Sequence, residues 1–185
     1  SKVTSYDLEA AKALLAEAAA EGGFTLPIQT TISYRDVVRG YLPQPGIVAQ
    51  DLQAQLAALG IEATITPMES GAFLDAATAG ELSLHLLGWG ADYPDATNFL
   101  DYHFGAGASP QFGEKDQVLT DLLAQAAQLS DPAARLAIYT EANNEIADFV
   151  PMIPIAHGGN ATAFKASIAG AYSGAFAGEQ FRVME

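Results

Sequence analysis

Helical and strand-like hydrophobic patterns alternate along the first half of the chain, and this alternation constrains the fold more than any other feature of the sequence. In residues 61–67, Ile61, Ala63 and Ile65 alternate with polar residues, as one buried face of a strand requires. In chain order the predicted elements are helix 6–20, strand 24–33, helix 45–59, strand 61–67, a short helix capped by Ser70, and strand 82–87. Helical connections between strands favour a largely parallel sheet with helices on both faces, which is an α/β fold.

The second half of the chain has two more helical patterns and then loses its periodicity. Leucines repeat at helical spacing over 116–129, and Asp131 followed by Pro132 is typical of the N-cap and first position of another helix. Residues 151–155 predict a short apolar strand, and from His157 onward small residues and glycines predict no long element. We therefore expect one lobe followed by a tail that cannot form a core by itself.

Charge and composition limit the classes of partner. Lys and Arg total 8 against 22 Asp and Glu in 185 residues, and the resulting charge of -14 would repel nucleic acid and anionic lipid. Since cysteine is absent, the sequence has no disulfide framework and no thiolate metal site. Residues 1–6 have no leader pattern, so either the protein is cytosolic or its leader is missing. A helix that begins almost at residue 1 favours a fragment.

Several motifs resemble one known family. Residues 88–100, Gly-Trp-Gly-Ala-Asp-Tyr-Pro-Asp-Ala-Thr-Asn-Phe-Leu, resemble the signature of family 5 of the extracytoplasmic solute-binding proteins, the dipeptide, oligopeptide and nickel group. Residues 6–18 resemble a family helix with a Tyr-Asp start and a Leu-Leu pair, and residues 53–61 resemble its Gln-x-x-Leu-x-x-x-Gly-Ile turn. Residues 131–139 and 150–155 are similar to the family's late helix and to its strand with paired prolines.

The resemblance implies a periplasmic-binding-protein-like lobe of type II, with a mostly parallel sheet flanked by helices. Because family members have two lobes that close on a ligand, residues 1–155 would form the C-terminal ligand-binding lobe. Residues 156–185 would return to complete the missing first lobe, and without it they would be poorly anchored or paired with another copy.

The implied function is substrate capture for an ABC-type importer, foremost of short peptides or similar small zwitterions. The expected location is the periplasmic or extracellular face of the cell membrane, with a membrane permease as partner. Neither enzyme activity nor a cofactor is expected. Family members take different ligands, so an oligosaccharide and a metal chelate stay as alternatives.

Asp92 is the first candidate for ligand contact. It follows the end of an apolar strand, and open α/β sheets bind ligands at the carboxyl ends of their strands. The resemblance implies that Asp92 pairs with the α-ammonium group of a peptide, which would be a charge-assisted hydrogen bond. The alternative is that Asp92 only caps the turn before Pro94.

Arg39 is the candidate for the opposite end of the ligand. In the segment 39–43, Arg-Gly-Tyr-Leu-Pro, it resembles an arginine that binds the ligand carboxylate in dipeptide-binding members, and a guanidinium suits two carboxylate oxygens. The alternative is a surface arginine that pairs with an acidic neighbour.

Trp89 is the single tryptophan and lies between two glycines, so its ring could form the floor of a pocket or belong to the core. Tyr93 and Asn98 are weaker candidates for ligand contact because they lie nearby in the signature.

Two other chemistries have little support. A hydrolase would use Asp92 and Asp95 as acid and base, but no nucleophile elbow, phosphate-binding loop or dinucleotide fingerprint accompanies them. His85, His103 and His157 are far apart in the sequence and predict packed or surface histidines rather than metal ligands.

Overall fold

The computed structural model of the chain describes residues 5–159 and 161–170, and the predicted alternation of helices and strands is confirmed in it. The elements are α1 Leu8–Gly22, β1 Ile28–Arg35, α2 Pro45–Ala57, β2 Ile61–Met68, α3 Ser70–Thr78, β3 Leu84–Leu86, α4 Leu100–Phe104, α5 Gln117–Ala127 and α6 Pro132–Phe149. None of the helices in the described ranges is both long and apolar enough to cross a membrane.

The strands form one parallel sheet in the order β2-β1-β3, with β1 in the centre. Ile32 of β1 is in register with Ile65 of β2 and with Leu84 of β3. Parallel neighbours need crossover connections, and α2 and α3 supply them. The carboxyl ends of β1 and β3 therefore meet at one edge of the sheet.

Helices cover both faces of the sheet, as predicted. Ile32 and Leu86 join Ala49 of α2 in one buried cluster. Because side chains alternate along a strand, His85 lies on the opposite face from Leu86, and there its ring meets Phe73 of α3 with 6.0 Å between centroids. Phe73 is fully buried, and such burial of a phenylalanine contributes about 1.5–3 kcal/mol.

A second core lies between α5 and α6. Leu119 and Leu123, four residues apart on one face of α5, pack with Ala142 of α6 in a buried cluster. Asp131 is the N-cap of α6, because its carboxylate accepts the Ala134 N–H at 2.8 Å, and Pro132 occupies the first turn as predicted. Three partly buried residues that follow β3 in the chain, Ala96, Leu100 and Phe104, pack against the same cluster. The α5 and α6 unit therefore lies against the segment that follows β3.

The cap predicted for the third helix is wrong. Glu69, not Ser70, accepts the first free N–H groups, from Gly71 at 2.7 Å and from Ala72 at 3.1 Å. These backbone hydrogen bonds lower the pKa of the Glu69 carboxyl. Ser70 instead accepts a hydrogen bond from Nε of Arg35 at 2.6 Å, which ties the start of α3 to the end of β1.

The strand predicted over 151–155 is also wrong, because these residues lie in no strand or helix. A strand needs a neighbour for its backbone groups, and no described segment pairs with this one, while its Ile153 is 73% exposed. The described part of the tail, 156–159 and 161–170, likewise has no helix or strand. The prediction that residues 156–185 complete another lobe stays a prediction, and residues 160 and 171–185 lie outside the described ranges.

Candidate ligand-binding site

Two loops at the carboxyl edge of the sheet carry all the candidate residues. Residues 36–44 follow β1 and form the β1 loop, which carries Arg39. Residues 88–98 follow β3 and form the signature loop. The candidates on the signature loop are Trp89, Asp92, Tyr93 and Asn98. Since β1 and β3 are parallel neighbours, the two loops start side by side.

The two loops touch through Tyr41 and Gly88. A Cβ atom built on Gly88 would lie only 2.2 Å from the ring of Tyr41, so this ring lies directly on the glycine backbone. Arg39 and Leu42 form an isolated antiparallel bridge that bends the β1 loop back on itself. The glycine before Trp89 is therefore needed for close packing of the loops.

Trp89 is half-buried, and its ring is held on two sides. It stacks on Tyr102 of α4 with 4.1 Å between centroids and 21° between planes, and His103 meets it edge-on at 5.4 Å. Its Nε1–H donates to Oδ1 of Asn98 at 3.2 Å. With that donor already used, Trp89 can offer a ligand only apolar ring surface.

Asn98 is the last residue of the signature loop, and its side chain is buried beneath the rest of the loop, with only 5% exposed. Its Oδ1 accepts the backbone N–H of Asp92 at 2.9 Å in addition to the indole N–H of Trp89. Its Nδ2 lies 3.5 Å from Oδ2 of Asp92, the outer limit for a hydrogen bond. One buried side chain therefore contacts both of the other main candidates in this loop.

Asp92 has an exposed carboxylate. No backbone N–H of the described residues donates to the Asp92 carboxylate, so its alternative role as the cap of the turn before Pro94 gains no support there. The next turn, the single 3-10 turn Ala96–Asn98, is capped by Asp95, whose carboxylate accepts the Thr97 N–H at 3.0 Å. Apart from the long approach by Asn98, the described side chains leave the Asp92 carboxylate open to solvent. This carboxylate can accept hydrogen bonds from a cationic ligand.

Asp95 is committed to an ion pair within the fold. Arg135 of α6 donates to it through Nη1 at 2.8 Å and Nη2 at 2.9 Å, and Thr97 donates to it through both its backbone and its hydroxyl. The hydrogen bonds from Arg135, followed by those from Thr97, hold the pKa of Asp95 far below its ordinary value. Asp95 is therefore ionised at neutral pH and has no proton to donate.

Arg39 is exposed on the β1 loop. Within residues 5–159 and 161–170, no acidic side chain forms an ion pair with it, so the alternative of an acidic neighbour gains no support there. Tyr93 is 46% exposed, and its hydroxyl lies 3.3 Å from that of Thr97. Both side chains are accessible to a ligand.

The aromatic residues behind the loop were not among the predicted site residues. Tyr102 is 45% exposed and stacks on Trp89, while His103 is buried among aromatic rings with Nδ1 at 2.5 Å from the Phe99 carbonyl. Burial lowers the pKa of His103, so it is a neutral packing residue at neutral pH. Sequence spacing could not identify this stack, because it depends on how α4 folds back on the loop.

The histidines are not gathered in one place. His85 lies half-buried in β3, His103 is buried behind the loop, and His157 is exposed in the tail. Among the described residues, no group of three or more His, Cys, Asp or Glu could hold a metal ion.

The fold is that of a type II periplasmic-binding-protein lobe, and solved structures of this class superpose on nearly the whole chain. HbpA2 from Haemophilus parasuis is 30% identical and has a TM-score of 0.86, covering 98% of this chain and 36% of its own. A dipeptide-binding protein from Pseudoalteromonas sp. SM9913, in complex with Met-Leu, is 27% identical with a TM-score of 0.82, over 97% of this chain and 35% of its own.

The chain belongs to the bacterial extracellular solute-binding proteins, family 5, whose middle-region profile matches residues 1–111. Di/tripeptide-binding protein 4 of Pseudomonas aeruginosa is 37% identical over 157 residues, which is 82% of this chain and 28% of that protein. The dipeptide-binding protein of Escherichia coli is 33% identical over 157 residues, 83% of this chain and 29% of its own length. The chain thus spans less than a third of the length of these curated relatives.

Proposed function

We propose that this chain forms one wall of the ligand site in the capture protein of an ABC-type importer, and that the ligand is a short peptide. Asp92 binds the peptide α-ammonium group, Arg39 binds its carboxylate, and Trp89 provides an apolar surface between them. Tyr93 lines the same site.

The observation that carries the proposal is the pairing of the two loops at the carboxyl edge of the sheet. One loop has an exposed carboxylate on an anchored backbone, and the other has an exposed guanidinium that no described acidic residue neutralises. Because the Tyr41 ring packs on Gly88, the two loops lie against each other. Opposite charges on adjoining loops suit a small zwitterion with charged ends.

The names of most of the relatives support the peptide class. One solved relative is described as a complex with Met-Leu, and another, from Helicobacter pylori and 32% identical, as a periplasmic binding protein in complex with the peptide STSA. Curated relatives carry the names di/tripeptide-binding and dipeptide-binding protein. From these names we also infer an extracytoplasmic location and a membrane permease as partner.

We infer that the protein binds its ligand without catalysing a reaction on it. A hydrolase would need the Asp95 carboxylate as acid or base, and this carboxylate is already taken up by two hydrogen bonds from Arg135 and two from Thr97. The chain spans less than a third of its relatives, so we propose that residues 1–155 are most of one lobe and 156–185 a return segment for the other. Affinity in such a protein depends on closure of both walls.

The test uses the single tryptophan as a reporter. Trp89 contributes the one indole N–H resonance of the 185-residue chain, and Met-Leu can be titrated against it by NMR. We expect weak binding, with a Kd on the order of 1 mM, because only one wall is present. Binding in the nanomolar range by this chain would contradict the one-wall architecture.

Modified ligands test which residue binds each end of the peptide. N-acetyl-Met-Leu lacks the ammonium charge and Met-Leu amide lacks the carboxylate, and we expect each to bind more weakly than Met-Leu. Acetylation should make no difference in Asp92→Asn, and amidation should make none in Arg39→Gln. Asp36→Asn and Lys12→Gln are the matched charge controls, since both residues are exposed and outside the proposed contacts. Equal sensitivity to acetylation in wild type and Asp92→Asn would remove Asp92 from the site.

A further inference from the structure

We propose that Asn98 is a positioning residue of this site, which holds the Trp89 indole and the Asp92 backbone in one arrangement without contacting the ligand. The inference deepens the proposed function and relies on it for the binding measurement. It assigns to Asn98 a role different from the ligand contact that its place in the signature suggests.

Asn98 is buried in the site. Asn98 is 5% exposed, whereas Tyr93 on the same loop is 46% exposed. A buried amide must find partners for its polar atoms, because a buried polar atom without a hydrogen bond destabilises the fold. Asn98 finds them in the loop that it supports.

The amide oxygen of Asn98 accepts two hydrogen bonds. The Trp89 Nε1–H at 3.2 Å and the Asp92 N–H at 2.9 Å both donate to the same atom of Asn98. Two donors directed at one atom require the carbonyl oxygen there, so the orientation of the amide is determined by its partners. The remaining amide nitrogen faces Oδ2 of Asp92 at 3.5 Å, where a donor is favourable beside a carboxylate.

Asn98 is itself anchored to the helical core. It ends the 3-10 turn Ala96–Asn98, whose N-cap is Asp95, and Arg135 ties Asp95 to α6 with two hydrogen bonds. The helical core is thus linked through Arg135, Asp95 and Asn98 to the ring and backbone that face the ligand. A movement of Asn98 would displace Trp89 and Asp92 together.

The chemical properties of the side chain explain why asparagine suits this position. Alanine would remove the acceptor and leave two donors without a partner. Aspartate would keep an acceptor for both donors, but it would replace the Nδ2 donor with a second carboxylate oxygen beside Asp92. The pair of variants therefore separates loss of the acceptor from loss of the amide nitrogen.

The experiment measures Trp89 directly in the 185-residue chain, using its indole N–H resonance and the rate at which that proton exchanges with water. In Asn98→Ala we expect an upfield shift of the resonance and roughly tenfold faster exchange, because the hydrogen bond is lost. In Asn98→Asp the resonance should stay near its wild-type position. Asn143→Ala is the matched control, since the Asn143 side chain donates to the Tyr139 carbonyl within α6, and it should leave the Trp89 resonance unchanged.

The second measurement is the affinity for Met-Leu. Asn98→Ala should bind about tenfold more weakly than wild type at a temperature where both are folded, whereas Asn143→Ala should bind like wild type. A purely structural role would lower the thermal midpoint of Asn98→Ala and leave the folded-state Trp89 resonance and the affinity unchanged, and that result would overturn the proposal.

The two proposals fail in different ways. If wild type does not bind Met-Leu but Asn98→Ala still shifts the Trp89 resonance, the peptide function is wrong and the loop-positioning role is supported. If Asn98→Ala does not fold, the wild-type chain carries the test, and a Trp89 indole N–H that exchanges with water as fast as that of free tryptophan would overturn the role of the acceptor.

Discussion

Arg135 and Asp95 form a two-pronged ion pair, with Nη1 at 2.8 Å from Oδ2 and Nη2 at 2.9 Å from Oδ1. The pair joins α6 to the signature loop across 40 residues of sequence. Arg135 also donates to the Tyr139 hydroxyl at 2.8 Å and to the Ala126 carbonyl at 3.3 Å, so its guanidinium is held from three sides. Planar bidentate pairing of this kind is available to arginine and not to lysine.

Replacement of Arg135 should therefore loosen the loop. We expect both Arg135→Gln and Arg135→Lys to lower the thermal midpoint, and lysine to lower it less because it keeps the charge but not the two parallel hydrogen bonds. The control is Lys12→Gln, which removes an exposed ion pair with Glu9 and should change stability by less than about 0.5 kcal/mol. Thermal unfolding followed by circular dichroism measures all three. Equal midpoints for wild type and Arg135→Gln would contradict a stabilising role.

The same pair predicts how acid affects stability. The folded pKa of Asp95 is depressed by Arg135, so its contribution is present above the unfolded pKa of about 3.9 and is lost as pH falls from there toward the folded pKa. We expect the thermal midpoint of Asp95→Asn to fall less steeply than that of wild type below about pH 4. Parallel slopes for the two proteins would contradict the shift. The pKa of Glu69 is also lowered, so Glu69 likewise makes the chain less stable in acid, but it does so equally in wild type and in Asp95→Asn.

Asp101 should behave in the opposite way. Burial, followed by the charge of Asp95, raises the pKa of the Asp101 carboxyl, and its Oδ2 is buried without a hydrogen-bond partner among the described residues. The ionised form is thus penalised in the folded state at neutral pH, and the penalty disappears when the group is protonated. Asp101→Asn should raise the thermal midpoint at pH 7, with a gain that vanishes near about pH 4. Asp36→Asn, at an exposed position, is the control, and an equal gain there would indicate a general charge effect.

Close packing of Gly88 predicts a local clash. A methyl group at this position would lie 2.2 Å from the Tyr41 ring, so Gly88→Ala should destabilise the chain by about 1–3 kcal/mol and weaken Met-Leu binding. The same change at Gly90, where no atom lies within 4 Å of an added Cβ, should have a much smaller effect. Urea unfolding gives the free energies. When Tyr41 is replaced by alanine, Gly88→Ala should lower the free energy of unfolding by less than it does in wild type. An equal loss in the two backgrounds would mean that the Tyr41 ring does not cause the clash.

Secondary structure predicted from the local sequence pattern is confirmed where a single helix or strand has one clearly apolar face or a clear cap. The alternation over 61–67, Pro132 after Asp131, and the leucine stripe around Leu119 all lie in elements of the predicted type. The strand predicted over 151–155 failed, since an apolar run forms a strand only where another backbone pairs with it. No described segment does so there.

The sequence by itself determined the βαβαβ order, the parallel sheet and the loop that carries Trp89 and Asp92, because hydrophobic period and turn residues act over short distances. Only the tertiary structure decided that Asn98 is buried beneath that loop and that Asp95, not Asp92, is paired with Arg135. The physical reason is that a carboxylate or amide in a turn can face a ligand, its own backbone or a distant helix equally well. Which of these it does depends on the packing of α6, 40 residues later in the chain.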